Sequence, residues 1–222
     1  MKVLLVEDDA SLREGMSDVI SELAEVRSAG SVDEALEALR QERFELVLTD
    51  LRITGRGQGG RSIVEDAQRR LQPVVIVSAA AAEEIQQALE PLEPDAVLAK
   101  PFQLEDMMAL VERFLVVRRE LDRLSRGPPP ESRWKQEAPG VHVLQLTGAD
   151  IGQPMTWIRM EPGASYAWTH HRGRAGVLVL EGDLEVDGER QPAPHYLFLT
   201  ARQLPMARTE KGCLAVSLAL RG

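Results

Sequence analysis

A run of three prolines, Pro128 to Pro130, divides this chain into two parts. Proline has no backbone amide donor and cannot continue a helix, so this run after Ser125-Arg126-Gly127 predicts a stiff linker. The two parts also differ in charge. Residues 1–130 carry 16 Lys or Arg against 25 Asp or Glu, for a net charge of -9, whereas residues 131–222 carry ten of each. At 222 residues, the chain is long enough for two small domains.

The overall composition argues against several classes of protein. A net charge of -9 repels polyanions, which disfavours direct DNA binding and binding to anionic membranes. The single cysteine, Cys213, cannot form an intramolecular disulfide or a zinc site with several cysteine ligands, and this fits a reducing cytoplasm. No apolar stretch approaches the ~20 residues of a membrane-spanning helix. We therefore expect a soluble, cytoplasmic protein without a secretion signal.

The first part alternates short apolar runs with longer segments of helical period. The runs lack polar alternation, which is typical of strands that are covered on both faces. Strands that alternate with helices predict a parallel sheet with helices on both sides. We therefore expect a doubly wound, five-stranded (βα)5 domain of the α/β class, with strands at Lys2 to Val6, Glu25 to Ala29, Leu46 to Thr49, Val74 to Val77 and Ala96 to Ala99.

After the prolines, short apolar runs are separated by Gly, Pro and Asp, and few segments have helical length. Turns are predicted at Pro162-Gly163, Gly182-Asp183 and Asp187-Gly188. The second part is thus predicted to be an all-β antiparallel barrel or sandwich. Its expected strands are Val141 to Leu146, Met155 to Met160, Val177 to Leu180, Leu184 to Val186, Tyr196 to Leu199 and Leu214 to Leu220.

The first part places charged and hydroxyl side chains at the carboxyl ends of its predicted strands. Glu7-Asp8-Asp9 follows the first strand, Asp50 the third, Ser78 the fourth and Lys100 the fifth. Ligands bind at these ends in sheets of this topology. Clustered carboxylates repel each other, and a hard divalent cation such as Mg²⁺ relieves the repulsion. Such a set suits a phosphoryl group bound to Asp50. Mg²⁺, Ser78 and Lys100 would neutralise the oxygens of that phosphoryl group.

Four segments of the first part resemble the landmarks of the response-regulator receiver domain, the phosphoacceptor of two-component signalling. They are residues 3–9 (VLLVEDD), 46–52 (LVLTDLR), 74–79 (VVIVSA) and 98–102 (LAKPF). The resemblance implies that Asp50 is phosphorylated, that Ser78 is the switch hydroxyl and that Lys100 is the lysine of the family motif. It also implies a Mg²⁺ site made of Asp8, Asp50 and the Arg52 carbonyl, with Glu7 acting through water. Asp9 is expected to cap the next helix.

Two features depart from the receiver pattern. Val97 stands where many receivers carry an aromatic switch residue, and the segment after Asp50 has four glycines and no proline. The glycines predict a loosened loop beside the acceptor. The last helix also carries a stripe of apolar side chains that continues past the end of a receiver domain. The second half of this stripe predicts a short coiled coil or a docking surface. The resemblance to receivers also implies a homodimer through the face that bears the fourth helix, the fifth strand and the fifth helix.

The second part resembles a cupin, and its ends look most like the cupin of ChrR-type anti-sigma factors. The segments on which this resemblance rests are residues 160–163 (MEPG), 169–171 (THH), 177–183 (VLVLEGD) and 209–214 (TEKGCL). The resemblance places Thr169, His171, Ala175 and Pro205 at the four ligand positions, where metal cupins have three His and one Glu. One histidine of four remains, so no transition metal is expected in the cupin.

A pocket at the barrel mouth is the remaining candidate site of the second part. Thr169, His171, Trp157 and Trp168 are expected to line it and to hold a small apolar or anionic ligand. The alternative is that the two tryptophans are ordinary core residues.

These observations predict a receiver domain with a long last helix at residues 1–125, a linker at 126–133 and a degenerate cupin barrel at 134–222. We expect a response regulator that a sensor histidine kinase or phosphotransfer protein phosphorylates on Asp50. Three roles of the cupin stay open: an output module that binds a protein such as a transcription factor, a receiver-controlled metal-dependent oxygenase or isomerase, and a small-molecule sensor.

Overall fold

The computed structural model describes residues 1–53, 59–126, 134–146, 155–168, 174–200 and 206–220. The predicted linker from residue 127 onward and the candidate residues Thr169 and His171 therefore lie outside the described residues. The chain forms two compact units, Met1–Leu115 and Val116–Gly222. This division falls inside the last helix of the first part, ten residues before the boundary expected from the sequence. Among the described residues, no helix has the length and apolarity needed to cross a membrane.

The first unit is a five-stranded parallel sheet with strand order β2-β1-β3-β4-β5, as predicted. β3 and β4 are buried along their whole length, because helices cover both faces of the sheet. The strands are β1 (Lys2–Val6), β2 (Glu25–Ala29), β3 (Leu46–Thr49), β4 (Val74–Ser78) and β5 (Ala96–Ala99). The helices are α1 (Ala10–Ser21), α2 (Val32–Gln41), α3 (Gly60–Arg69), α4 (Ala82–Leu89) and α5 (Leu104–Leu124).

Side chains at the strand-to-helix turns set where the first two helices begin. The Asp9 carboxylate accepts a hydrogen bond from the backbone N–H of Leu12 at 2.9 Å and so caps α1, as expected. Ser31 caps α2 in the same way through the N–H of Glu34. These caps fix the residue at which each helix begins after its strand.

The second unit contains nine described strands, paired antiparallel into one nearly closed sheet. β10 is central and pairs with β11, β12, β13 and β14. The predicted cupin-like barrel is thereby confirmed. The strands are β6 (Lys135–Ala138), β7 (Val141–Leu146), β8 (Met155–Met160), β9 (Ser165–Ala167), β10 (Ala175–Val186), β11 (Glu189–Pro192), β12 (His195–Leu199), β13 (Met206–Arg208) and β14 (Cys213–Ala219).

The turn predicted at Gly182-Asp183 is wrong, because β10 runs straight through it. The pairing of β10 with β14 shifts register between Val179 and Glu181, which marks a β-bulge. Gly182 has a φ of +75°, and a Cβ atom there would overlap the carbonyl oxygen of Gly212. The glycine therefore permits a close approach of two strands, while the true hairpin turn follows at Asp187-Gly188, where both residues have positive φ.

The second half of α5 covers one face of the second unit's sheet, which we call the helix-covered face. Val117 and Leu121 are fully buried there. A Cβ atom on Gly176 would lie 2.6 Å from Cγ1 of Val117, so the glycine makes room for the helix. In the structure this half of the stripe packs on the sheet of its own unit. The sheet residues buried under it are Leu144, Met155, Trp157, Leu178, Val216 and Leu218.

Substitution of Gly182 by alanine should destabilise the second unit more than the same change at Gly188. Both glycines have positive φ, which costs alanine about 1–2 kcal/mol. Only Gly182 adds a backbone clash, whereas a Cβ on Gly188 meets nothing within 4 Å. We therefore expect Gly182→Ala to lower the free energy of unfolding by about 3 kcal/mol or more.

Urea unfolding followed by tryptophan fluorescence is a suitable measurement, because all three tryptophans of the chain lie in the second unit. Equal losses in Gly182→Ala and Gly188→Ala would contradict the close approach of the two strands.

Candidate functional site

Four of the predicted site residues lie at the carboxyl ends of neighbouring strands. Glu7 follows β1, Asp50 follows β3, Ser78 ends β4 and Lys100 follows β5. The backbone holds these ends in line: the N–H of Asp50 donates to the carbonyl of Val6 at 3.1 Å, and the N–H of Lys100 donates to the carbonyl of Ser78 at 2.8 Å. The parallel sheet thus brings residues far apart in sequence to one edge.

Lys100 bridges two carboxylates at this edge. Its Nζ donates to Oε2 of Glu7 and to Oδ2 of Asp50, at 2.6 Å each. The side chains are 17% exposed for Lys100, 3% for Glu7 and 13% for Asp50, so water screens the interaction poorly. One ammonium compensates two carboxylates, which leaves a net negative charge at the centre of the site.

The charged state of Lys100 is maintained by its partners. Burial alone lowers the pKa of the ammonium, but hydrogen bonds to Asp50 and Glu7, with their negative charges, outweigh it and raise the pKa above the ordinary value of 10.5. The lysine is therefore a cation throughout the physiological range. It can neutralise a further negative group that arrives beside Asp50.

The carboxylate of Asp50 is held at both oxygens. Oδ1 accepts a hydrogen bond from the backbone N–H of Arg52 at 2.9 Å, while Oδ2 accepts the one from Lys100. The α3 helix begins directly against this turn, since a Cβ atom on Gly60 would overlap the carbonyl oxygen of Asp50. The Asp50 side chain is therefore held in one position by backbone and lysine together.

The sequence predicts that the four glycines after Asp50 loosen the loop, but two of them are needed for close packing of the backbone. Gly59 has a φ of +57°, and Gly60 packs on the backbone of Asp50. For this pair the expectation is corrected: glycine is needed because the chain turns sharply and the helix approaches closely. The other two glycines, in residues 54–58, lie outside the described residues.

Two arginines join the site without having been predicted in these roles. Nη1 of Arg13 donates to the carbonyl oxygen of Glu7 at 2.6 Å and approaches that of Asp8 at 3.4 Å, which ties α1 to the acidic segment. The guanidinium of Arg52 forms an exposed ion pair with Glu84 of α4 at 2.7 Å. Arg13 lies on the first turns of α1, but no sequence pattern signals a contact with backbone carbonyls.

Asp8 and Ser78 complete the predicted set. Asp8 is half-buried next to Glu7, and Ser78 is buried, with its Oγ accepting the backbone N–H of Ala80 at 3.3 Å. Among the described residues, no three His, Cys, Asp or Glu side chains are grouped so that they could hold a metal ion. Mg²⁺ needs no such group, because it binds through one or two carboxylates and keeps several waters. The oxygen donors proposed from the sequence therefore fit this ion.

Of the four residues predicted to line a pocket at the barrel mouth, the structure describes Trp157 and Trp168. Trp157 lies on the helix-covered face under Val117 and Leu121, because side chains alternate along β8. Trp168 is not part of that layer and meets Tyr166 edge to face, with ring centroids 5.7 Å apart. Both tryptophans are 2% exposed. Thr169 and His171, as stated above, are outside the described residues.

Removal of the bridging cation should destabilise the first unit. In Lys100→Met the buried Glu7 carboxylate loses its partner, which costs about 3 kcal/mol of unfolding free energy at pH 7. Adding Glu7→Gln should restore part of this loss, because the uncompensated charge is removed. Urea unfolding followed by circular dichroism measures both variants.

The sign of the pH dependence follows from the raised pKa of Lys100. The stabilisation is fully present below the ordinary lysine pKa of 10.5 and declines as the pH rises through the folded-state pKa. The difference between the wild type and Lys100→Met should therefore shrink at alkaline pH. A double variant that is less stable than Lys100→Met would contradict the bridge.

Comparison with known proteins assigns both parts. A family model described as the response regulator receiver domain matches residues 3–112, and one described as the ChrR cupin-like domain matches residues 128–216. Response regulator protein FleR of Pseudomonas aeruginosa is 35% identical over 120 residues, which cover 50% of this chain and 24% of that protein. Transcriptional regulatory protein PdtaR of Mycobacterium tuberculosis is 27% identical over 125 residues, covering 55% and 60%.

Solved receiver domains resemble the first unit at lower identity. A CheY-like response regulator receiver domain protein from Methanospirillum hungatei has a TM-score of 0.48 at 21% identity, covering 54% of this chain and 96% of that one. The receiver domain of a sensor histidine kinase from Pseudomonas aeruginosa, with a magnesium ion in its active site cleft, has a TM-score of 0.47 at 20% identity, covering 52% and 97%.

The chain spans 24% to 60% of the lengths of these two curated relatives. Both matches to curated relatives are no longer than 125 residues, the size of the first part alone. The second part is assigned by its own family model. Residues 3–112 therefore match the response regulator receiver domain, and residues 128–216 match the ChrR cupin-like domain.

Proposed function

We propose that this protein is a response regulator whose Asp50 accepts a phosphoryl group and whose cupin-like unit delivers the output. The observation that carries the proposal is the bridge from Lys100 to Glu7 and Asp50, both at 2.6 Å. It leaves a carboxylate fixed at the strand edge beside a permanent cation. A sensor histidine kinase or a phosphotransfer protein is the proposed phosphodonor, and small donors such as acetyl phosphate offer the same chemistry.

The proposed reaction is an in-line displacement at phosphorus. An Asp50 carboxylate oxygen attacks, a P–O bond forms, and the bond from phosphorus to the donor's leaving atom breaks. Asp8, Asp50 and the Arg52 carbonyl would hold Mg²⁺, with Glu7 acting through water, and the ion would supply charge neutralisation for the phosphoryl oxygens. The Lys100 ammonium neutralises a phosphoryl oxygen from the side of Asp50 Oδ2, where it already donates.

The switch is proposed to involve Ser78. Its hydroxyl is buried at the end of β4 and carries one described hydrogen bond, a weak one at 3.3 Å. A phosphoryl group on Asp50 adds about two negative charges and new acceptor oxygens, toward which the hydroxyl can donate. Such a rearrangement alters the turn that leads into α4.

The output is proposed to travel through α5, which supplies core residues to both units. Met107, Val111 and Phe114 of this helix are buried in the first unit, and Val117 and Leu121 in the second. A packed helix transmits displacement because its buried side chains cannot slip without opening cavities. We propose that the cupin unit binds a protein partner, such as a transcription factor, in response.

A homodimer is proposed on the face that contains β5 and the start of α5. Val97 is 47% exposed and Leu104 is 50% exposed, and they are two of the four large hydrophobic side chains that are exposed in the described part of the chain. Apolar side chains exposed in this way suit an interface. We also propose a cytoplasmic location and no direct DNA contact, on the charge and cysteine arguments given for the sequence.

Of the alternative cupin roles, an oxygenase or isomerase that depends on a transition metal has least support. The aligned ligand positions contain Thr169, Ala175 and Pro205 beside a single histidine, His171. A stable site needs three or four ligands. The small-molecule sensor has a specific observation in its favour, a cavity on the helix-covered face that is taken up below.

Phosphoryl transfer to Asp50 is tested with radiolabelled acetyl phosphate and Mg²⁺. We expect the purified chain to take up one acid-stable but base-labile label, because acyl phosphates hydrolyse in alkali. Asp50→Asn should take up none, and Lys100→Arg should be labelled more slowly. Equal labelling of the wild type and Asp50→Asn would refute the assignment.

Transmission through α5 is tested by tryptophan emission, which reports on the second unit alone because all three tryptophans lie there. Phosphorylation should shift the emission of the wild type and leave that of Asp50→Asn unchanged. Val117→Ala should reduce the shift, because it opens a cavity between helix and sheet. Arg123→Ala, an exposed position of the same helix, is the matched control. An equal shift in Val117→Ala and the wild type would contradict this route.

A further inference from the structure

A cavity of about 630 Å³ lies in the second unit at one end of the helix-covered face. Trp157, Leu180 and Leu214 contribute apolar side chains to its lining, and Ser125 and Arg126, just after the end of α5, contribute another side. The volume falls within the range of sites for small organic molecules. Of the two described residues predicted for the barrel-mouth pocket, Trp157 lines this cavity and Trp168 does not.

The charged side chains of this cavity are mostly cations. Arg126, Arg159 and Lys211 line it against a single carboxylate, Glu181, which gives a net charge of +2. Residues 131–222 as a whole have no net charge, so the excess is local. Within the described part of the chain, none of the three cations forms an ion pair with a carboxylate. An anion that enters the cavity therefore meets cations that are not already neutralised.

Arg159 is held in place by an aromatic ring. Its guanidinium lies over the ring of Trp134, 4.6 Å from the centroid. Such stacking restrains the side chain but uses none of its N–H donors. The guanidinium fork thus keeps its capacity for a bidentate interaction with a carboxylate.

The carboxyl end of α5 borders the cavity, and exposed carbonyls at a helix end disfavour anions. Two of these carbonyls already accept hydrogen bonds from Ser125. Its backbone N–H donates to Leu121 O at 2.9 Å, and its Oγ donates to Asp122 O at 3.3 Å. The negative end of the helix is thereby weakened, and Arg126 adds a positive charge beside it.

Cys213 also lines the cavity but adds neither charge nor reactivity. Burial, with a smaller effect from the negative charge of Asp183, raises the pKa of its thiol to about 12. The thiol therefore remains protonated at neutral pH, whereas nucleophilic cysteines require the thiolate. The chemistry of the cavity is that of binding.

We propose that this cavity binds a small organic anion with an apolar body, such as an aromatic or long-chain carboxylate. The apolar body would lie on Trp157, Leu180 and Leu214, and the carboxylate would pair with Arg159 and Lys211. Arg126 lies just after the end of α5. A ligand that contacts Arg126 would therefore lie against the end of the helix that contributes residues to both units. This inference goes beyond the proposed function and does not require phosphorylation of Asp50.

The test is isothermal titration calorimetry of the full chain with 1-naphthoate, with 1-naphthylmethylammonium as the matched cation. We expect one naphthoate per chain and at least tenfold weaker binding of the ammonium. Arg159→Gln should weaken naphthoate binding about tenfold, because a charge-assisted hydrogen bond is lost. Glu181→Gln should strengthen it about threefold, because a like charge is removed.

Arg208→Gln is the control, since Arg208 is an exposed cation on β13 and does not line the cavity. The gain in Glu181→Gln cannot arise from misfolding, so the proposal remains testable even if Arg159→Gln folds poorly. Absence of saturable naphthoate binding, equal binding of the ammonium, or an equal loss in Arg208→Gln would overturn the proposal. Labelling of Asp50 by acetyl phosphate is a separate readout, so either proposal can fail without the other.

Discussion

The candidate site depends on one buried ammonium that compensates two carboxylates. Lys100 holds Glu7 and Asp50 together at 2.6 Å each, in surroundings where water screens little. Without that cation, the carboxylates at the ends of β1 and β3 would repel each other and disfavour the close packing of the strand ends. The same charge that stabilises the first unit is the one available to a phosphoryl group. Stability and the proposed chemistry therefore rest on the same interaction.

The α5 helix gives the two units a common element. Its first half buries Phe114 in the first unit, and its second half buries Val117 and Leu121 in the second. Gly176 of β10 has no side chain because Val117 occupies that space. In this arrangement the apolar stripe beyond the receiver is used within the chain itself, which removes those residues from a coiled coil. The cavity beside Arg126 places a second proposed input at the end of the same helix.

Much of the fold could be predicted because its strongest signals are local. The five apolar runs of the first part, and those that form β7 and β8, coincide with observed strands or differ by one residue at an end. The short strands β6, β9, β11 and β13 were missed, since segments such as Lys135–Ala138 and Glu189–Pro192 are polar and exist only because a neighbour pairs with them. Gly182 resembles a turn residue in the sequence because a bulge and a turn both use glycine for its positive φ.

What the sequence by itself determined was the two fold classes and the residues of the acidic edge, because these follow from composition, period and motif order. Tertiary structure alone decided the partners: which carboxylates Lys100 bridges, that Arg13 holds the carbonyl of Glu7, and that Trp157 faces α5 and not the barrel interior. The reason is physical. Periodicity shows which side chains are buried, but the element that buries them is chosen by packing between segments distant in the chain, and one residue of register moves a side chain to the other face of a sheet.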